Sequence, residues 1–241
     1  MAKPVRAPYE EQMTSAASSP LAGQTLVRGD LECLSRTAGP HHLVDCDIDD
    51  ADLSGLNLAH WTFDRCTVRR GDFTGARLEG SAWTSCRGAF ARFLRADLSD
   101  AWFEASDFNN AVFRNATLSG ARFARSKLTG VDLSDAKAFD LLLDEVLLIN
   151  AKLPGFSFRK QTLRKIDFGQ ADLRKTDFRA TVFEDCSLRD AGVAGCRFDG
   201  ADLRGADLGG IALVDARQFR GATISREQAG QLLGELGSRV L

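Results

Sequence analysis

Apolar and polar positions along this chain alternate with a period of five. Leu53, Leu58, Phe93, Leu98, Phe103, Phe108, Leu203 and Leu208 all carry numbers ending in 3 or 8. The phase runs from Leu43 to Leu213, and only Gly88 and Ala138 interrupt its series of Leu, Ile, Val and aromatic residues. Two places earlier the residue is mostly Ala, Cys, Ser, Thr or Gly, as at Cys46, Ala51, Gly71, Ala96, Ala121 and Ala206. The other three places of each five carry nearly all the charge.

No helix uses this period, because five residues advance about 500° and the apolar side drifts by about 140° per repeat. A strand needs a period of two. A chain that turns a corner every five residues satisfies the pattern. Four sides close a square coil of about 20 residues, whose large and small side chains fill the axis. Stacked coils pair their backbones at about 4.8 Å, so the sequence predicts nearly nine coils and a rod of roughly 40 Å. The expected plan is a mobile tail over 1–25, a rod over 26–218 with its in-phase repeats at 43–213, and a terminal unit over 219–241.

This period resembles the pentapeptide repeat family. The resemblance implies an all-β fold, a right-handed quadrilateral β-helix, with a short C-terminal α-helix. Residues 20 apart then stack. Cys46, Cys66 and Cys86 form one inward column continued by Ser106 and Ser126, while Phe73, Phe93 and Phe113 form an aromatic one. Buried small thiols explain the first column, and stacked rings suit a core axis.

The terminal segment "ISREQAGQLLGELGSRVL" leaves the period. Ser225 followed by Gln228 reads as a capping box, and Ala229, Leu232, Leu233 and Leu236 share a helical face. Such a helix covers the open end of a rod, and spare leucines can join two rods; Leu232, Leu233 and Leu236 are the expected homodimer contacts. This end resembles the quinolone-resistance pentapeptide repeat proteins, of the Qnr and mycobacterial types. That resemblance implies a DNA-mimicking dimer that binds DNA gyrase or topoisomerase IV and protects it from poisons, as resistance or producer self-immunity. Its topoisomerase-facing carboxylates would be Asp97, Asp100, Asp107, Asp132 and Asp135. The alternative is a scaffold or adaptor rod holding an unrelated protein. A continuous negative stripe along the rod would favour mimicry, and a broken one the scaffold.

Two stretches depart from the rule. In "AFDLLLDEVLLIN" (138–150), Leu141 and Val146 are large for the small slot, and Phe156, Gln161 and Ile166 continue the excess. Phe139, Leu142, Leu147 and Ile149 fall on outward places, so either the coil widens or a patch is exposed for a partner. The run 158–180 is basic, with Arg159, Lys160, Arg164, Lys165, Arg174, Lys175 and Arg179 against Asp167, Asp172 and Asp177.

Composition excludes more than it selects. A net charge of −2 names neither nucleic acid nor membrane as partner. No apolar run approaches a membrane span, and the opening residues lack a signal-peptide core, so a cytoplasmic location is expected. The six cysteines make no CxxC pair and His41, His42 and His60 have no triad-like setting. No metal, cofactor or enzymatic activity is expected.

Overall fold

The structure, a computed structural model, describes residues 20–37, 39–211, 216–235 and 237–239. Leu213, the last in-phase position, and Leu236 lie outside them, as do residues 1–19 of the expected tail. The described chain is a parallel β-solenoid of about nine turns.

Each turn has four faces. Face 1 holds strands β2 (His42–Val44), β3 (Thr62–Asp64), β4 (Ala82–Thr84), β5 (Trp102–Glu104), β6 (Arg122–Ala124), β7 (Leu142–Asp144), β8 (Thr162–Arg164) and β9 (Val182–Glu184). With β1 (Leu21–Ala22) at its edge they form one nine-stranded parallel sheet in sequence order. Leu43 pairs with Phe63, Phe63 with Trp83, and Trp83 with Phe103, a register of 20. Faces 2, 3 and 4, centred on residues such as Val68, Phe73 and Leu78, are held by single bridges of the same register, including Thr67 to Arg87, Asp72 to Arg92 and Arg77 to Asp97. Short β10 (Cys186–Ser187) and β11 (Ala206–Asp207) extend face 2.

The period of five is a period of corners. From Asp45 to Gly200 every residue whose number ends in 0 or 5 has positive φ. Three corners per turn close with a backbone turn bond, as from Ala76 N–H to the Phe73 carbonyl and from Ser81 N–H to Leu78. Positive φ at the third residue is what a type II turn requires. Until Ala206 N–H meets the Leu203 carbonyl in the last coil, the fourth corner, between faces 1 and 2, has no such bond. There the Cys/Ser column supplies hydrogen bonds instead. Ser106 Oγ donates to the Glu104 and Trp83 carbonyls at 2.9 and 3.1 Å and accepts from Cys86 N–H at 3.0 Å. Ser126 repeats the arrangement one coil on, and the thiols of Cys66 and Cys86 donate to the matching carbonyls. The column is a spine that replaces a missing turn bond.

Inside, Phe73, Phe93 and Phe113 stack with centroids 4.7 Å apart, and Trp83, Phe103 and Phe123 stack beside them. Gly88 lacks a side chain because the Phe108 ring occupies its inward slot. A second aromatic stack, Phe158, Phe178, Phe198 and Phe219, fills the far end.

Between the two stacks the ladder opens. Leu141, Val146, Phe156 and Ile166 are buried, as oversized residues in small slots must be. Only Asp144 and Arg164 keep register between β7 and β8, and Gln161 Nε2 reaches the Leu141 carbonyl at 3.4 Å. Among the described residues the bridges from Thr117 to Lys137 and from Ser157 to Asp177 have no counterpart between Lys137 and Ser157. The coil therefore widens locally, and Phe139, Leu142 and Leu147 stand exposed on it.

Both ends are closed. Before the repeats, β1 pairs with Leu43 and Val44, and helix α1 (Arg28–Arg36) buries Leu31 against the first coil. Ordered structure thus begins before residue 26, inside the expected tail, and includes a helix that the period does not forecast. Past residue 200 the register slips by one, with Asp202 bridged to Thr223. Helix α2 (Arg226–Glu235) then covers the end. The capping box is present: Ser225 N–H donates to Gln228 Oε1 and Gln228 N–H to Ser225 Oγ.

The spine is testable. Ser106→Ala leaves buried carbonyls and the Cys86 N–H without their partner, so it should cost about 1–2 kcal/mol in chemical denaturation. Ser106→Cys, which keeps a weak donor, should cost less.

Candidate interaction surface

The surface of the rod is built from rungs 20 residues apart, so its electrostatics follow from what stands above and below each charge. Along face 1, Lys165 Nζ pairs with Glu145 at 2.8 Å and Arg164 with Glu184 at 3.2 Å. Arg125 pairs with Glu104, which is buried despite its outward place. On face 2, Arg69 and Arg70 pair with Asp49 and Asp50. On faces 3 and 4, Arg174 folds back on Asp172 and Arg179 on Asp177. Acid follows base along the bridged columns too, as in Asp72, Arg92 and Asp132, Lys152, Asp172. The negative stripe expected of a duplex mimic is therefore broken on every face. In the basic run 159–179, Arg164, Lys165, Arg174 and Arg179 are each paired with a carboxylate.

The five expected carboxylates divide into three kinds. Asp100 and Asp135 are exposed corner residues with positive φ. Asp97 and Asp107 are half-buried, each accepting the N–H two residues on, from Ser99 and Asn109. Asp132 keeps an outward place but is covered there by its neighbours. It is buried, 2.6 Å from Arg114 and 3.8 Å from Lys152. Burial pushes its pKa up, but hydrogen bonds from Ser134 and Arg114 outweigh that and hold it below the ordinary carboxylate value. The dimer leucines divide as well. Leu232 is buried on the rod's own core, and Leu233 is 44% exposed. Helix α2 caps the last coil directly: Gln228 Nε2 donates to the Leu203 and Ala206 carbonyls, and Glu235 accepts Gly210 N–H. Of the expected patch, Phe139 is 76% exposed, Leu142 and Leu147 are exposed, and Ile149 is half-buried. Phe90, 58% exposed at a corner, was not in that patch; its number, ending in 0, marks it as a corner residue where an aromatic is out of place.

Little here suits catalysis. A cleft of about 230 Å³ between α1 and the first coil is lined by Ser35, Thr37, Asn57, His60 and Trp61. His60 belongs to that lining, and His41 is spent on structure: its Nε2 lies 3.0 Å from the Leu34 carbonyl and its ring packs edge-on against Trp61. Among the described residues no three His, Cys, Asp or Glu side chains are grouped to hold a metal, and no helix is long and apolar enough to cross a membrane. The arrangement suits binding by a convex surface.

The sequence profile described as pentapeptide repeats matches residues 42–80, 96–135, 143–179 and 181–217. No curated protein matches this chain in sequence. Among solved structures, a trypsin-treated variant of QnrB1, a plasmid-mediated fluoroquinolone resistance protein, is similar with a TM-score of 0.58 at 21% identity. That match covers 84% of this chain and 100% of the QnrB1 chain. Full-length QnrB1 is similar with a TM-score of 0.54 at 20% identity, covering 83% and 100%.

Two outcomes follow from these environments. Burial raises the thiols of Cys46, Cys86 and Cys186 and pushes Cys196 up to about 12, while Cys33 is exposed. A disulfide reagent added to native protein should label Cys33 alone, and the buried thiols only after denaturation. The depressed folded-state pKa values of Asp132, Asp172 and Asp177 contribute stability that is full above the ordinary value of 3.8. It is lost as pH falls through the lower folded values. Melting temperature should drop steeply below about pH 4, and Asp132→Asn should flatten that limb while costing about 1 kcal/mol at neutral pH.

Proposed function

Because the chain belongs to the pentapeptide repeat family, we propose that it is a non-enzymatic binding rod that docks on a type II DNA topoisomerase and shields it from drugs that trap the cleaved-DNA complex. The observation that carries this reading is architectural. A convex rod, closed by a helix at its C-terminal end, spans the whole length of a fluoroquinolone resistance protein. The partner would be DNA gyrase or topoisomerase IV, met by the rod without direct binding of nucleic acid, in the cytoplasm. Asp100 and Asp135, exposed on corners, are the best placed of the five candidate carboxylates, with Asp97 and Asp107 beside them. Leu233, and Leu236 beyond it, would join two copies through α2, with Leu232 holding the helix to its own rod.

The broken charge pattern shapes the mechanism. Charges whose sign changes along the columns do not imitate the even potential of a duplex, so docking must rely on discrete contacts. The same pattern supports a second reading, an adaptor rod holding an unrelated protein through the apolar patch at 138–150 and the basic run 159–179.

Purified protein in a gyrase supercoiling and cleavage-protection assay separates the two. Inhibition of supercoiling and protection of cleaved complexes from a quinolone are the expected results. No binding to either topoisomerase, with unchanged drug sensitivity on expression, would remove the first reading and leave the adaptor.

A further inference from the structure

The exposed apolar side chains of the repeats are not scattered. Phe90, Phe139, Leu142, Leu147 and Val182 are the large exposed ones among the described residues of the coils. Leu142 and Val182 lie on face 1, Leu147 on face 2, and Phe139 and Phe90 on the two corners that bound those faces. Faces 3 and 4 have none. All the large exposed apolar side chains of the described coils therefore lie on one half of the circumference, among its ion pairs.

We propose that faces 1 and 2 form one docking side, and that it seats in a concave protein groove whose two walls are apolar and whose floor sets a basic group against the carboxylates of one coil. The proposal rests on the topoisomerase reading above and assigns which side of the rod that partner meets: of the candidate carboxylates, Asp107 lies on that side and Asp100 at its edge, while Asp97 and Asp135 fall outside it. The shape of the groove follows from a single coil. Between 139 and 149 the chain places Phe139 and Leu142 toward one face and Leu147 and Ile149 on the next. A flat partner cannot cover both sides of an edge, whereas a groove with two walls can. On the edge between them stand Asp144, exposed, and Glu145, which Lys165 only partly covers. Those carboxylates face the floor.

Two costs to folding coincide with this side. The ladder opens at the same coil, between β7 and β8. Phe90 holds φ at +62° while 58% exposed. Every corner from Asp45 to Gly200 shares that sign of φ; what sets Phe90 apart is an exposed aromatic ring at a position that favours Gly, Asn and Asp. An exposed ring in that conformation adds nothing to the core. Aromatic anchors of this kind are what protein interfaces use as hot spots. Duplex nucleic acid is a poor occupant, because basic rungs on face 1 alternate with the acidic pairs Asp144–Glu145 and Glu184–Asp185.

The test uses full-length protein with purified gyrase. Phe90→Asn, Phe139→Asn and Leu142→Thr change only exposed side chains, and Phe90→Asn should melt at or above the wild-type temperature. Each should weaken inhibition of supercoiling by roughly tenfold or more, the size expected for loss of a hot spot. Arg92→Ala, on face 3, should leave inhibition within about twofold, since contacts outside the interface core carry little energy. Wild-type inhibition unchanged in all three folded variants, or lost equally in Arg92→Ala, overturns this docking side while leaving the topoisomerase reading intact. A wild-type protein that does not act on gyrase or topoisomerase IV overturns both.

Discussion

The backbone ladder between successive coils is the constraint from which the remaining features follow. Each outward N–H finds a carbonyl in the neighbouring coil, as Asp72 N–H finds Ala51 and Phe73 N–H finds the Arg92 carbonyl. Those bonds fix a register of 20, and the register decides what every side chain meets. Inward, it sets ring on ring. Outward, it sets charge above charge at about 4.8 Å, close enough that two like charges repel by about 1 kcal/mol even in water. Alternation of acid and base along face 1 is the stable solution to that geometry.

The corners show how strongly the ladder dominates local preference. Lys160, Lys175, Ala105 and Ala180 all hold positive φ, a conformation that L side chains adopt only at a cost. The cost is met because the corner bonds and the stacked core leave no alternative path. At the fourth corner, hydroxyl and thiol groups take over from the turn bond, which explains why that column prefers Ser and Cys to Ala. Val146 and Ile166 interrupt the column, and the ladder opens between the coils that carry them.

Much of this was legible in the sequence, for a physical reason. A solenoid repeats its environment, so a period of five and a register of 20 locate the core, the aromatic stacks and the Cys/Ser column. Ser225 and Gln228 announced α2 because a capping box is local. What escaped notice depends on non-repeating contacts. Helix α1 follows no period, and its anchor, Leu31, meets the first coil only in three dimensions. Asp132 reads as an outward residue, yet Arg114 and Lys152, 18 and 20 positions away, close over it. The spacing of 20 that found the core columns also reaches Lys152, whereas Arg114, 18 positions away, lies off it.

An even, DNA-like field along this rod would require like charges stacked coil upon coil, against the repulsion that the register imposes. This chain instead neutralises its rungs, and the stability so gained removes the long-range potential that mimicry would use. Recognition must then come from features the ladder does not demand. Stacking has no use for an exposed Phe90 in a left-handed corner, for Phe139 beside a half-buried Ala138, or for apolar residues confined to two adjacent faces. A side chain that lowers the stability of the rod and does not serve its core is where a partner's binding energy has room to act. On the proposed reading, faces 1 and 2, rather than the carboxylates spread around the circumference, are the part of this surface that discriminates among partners.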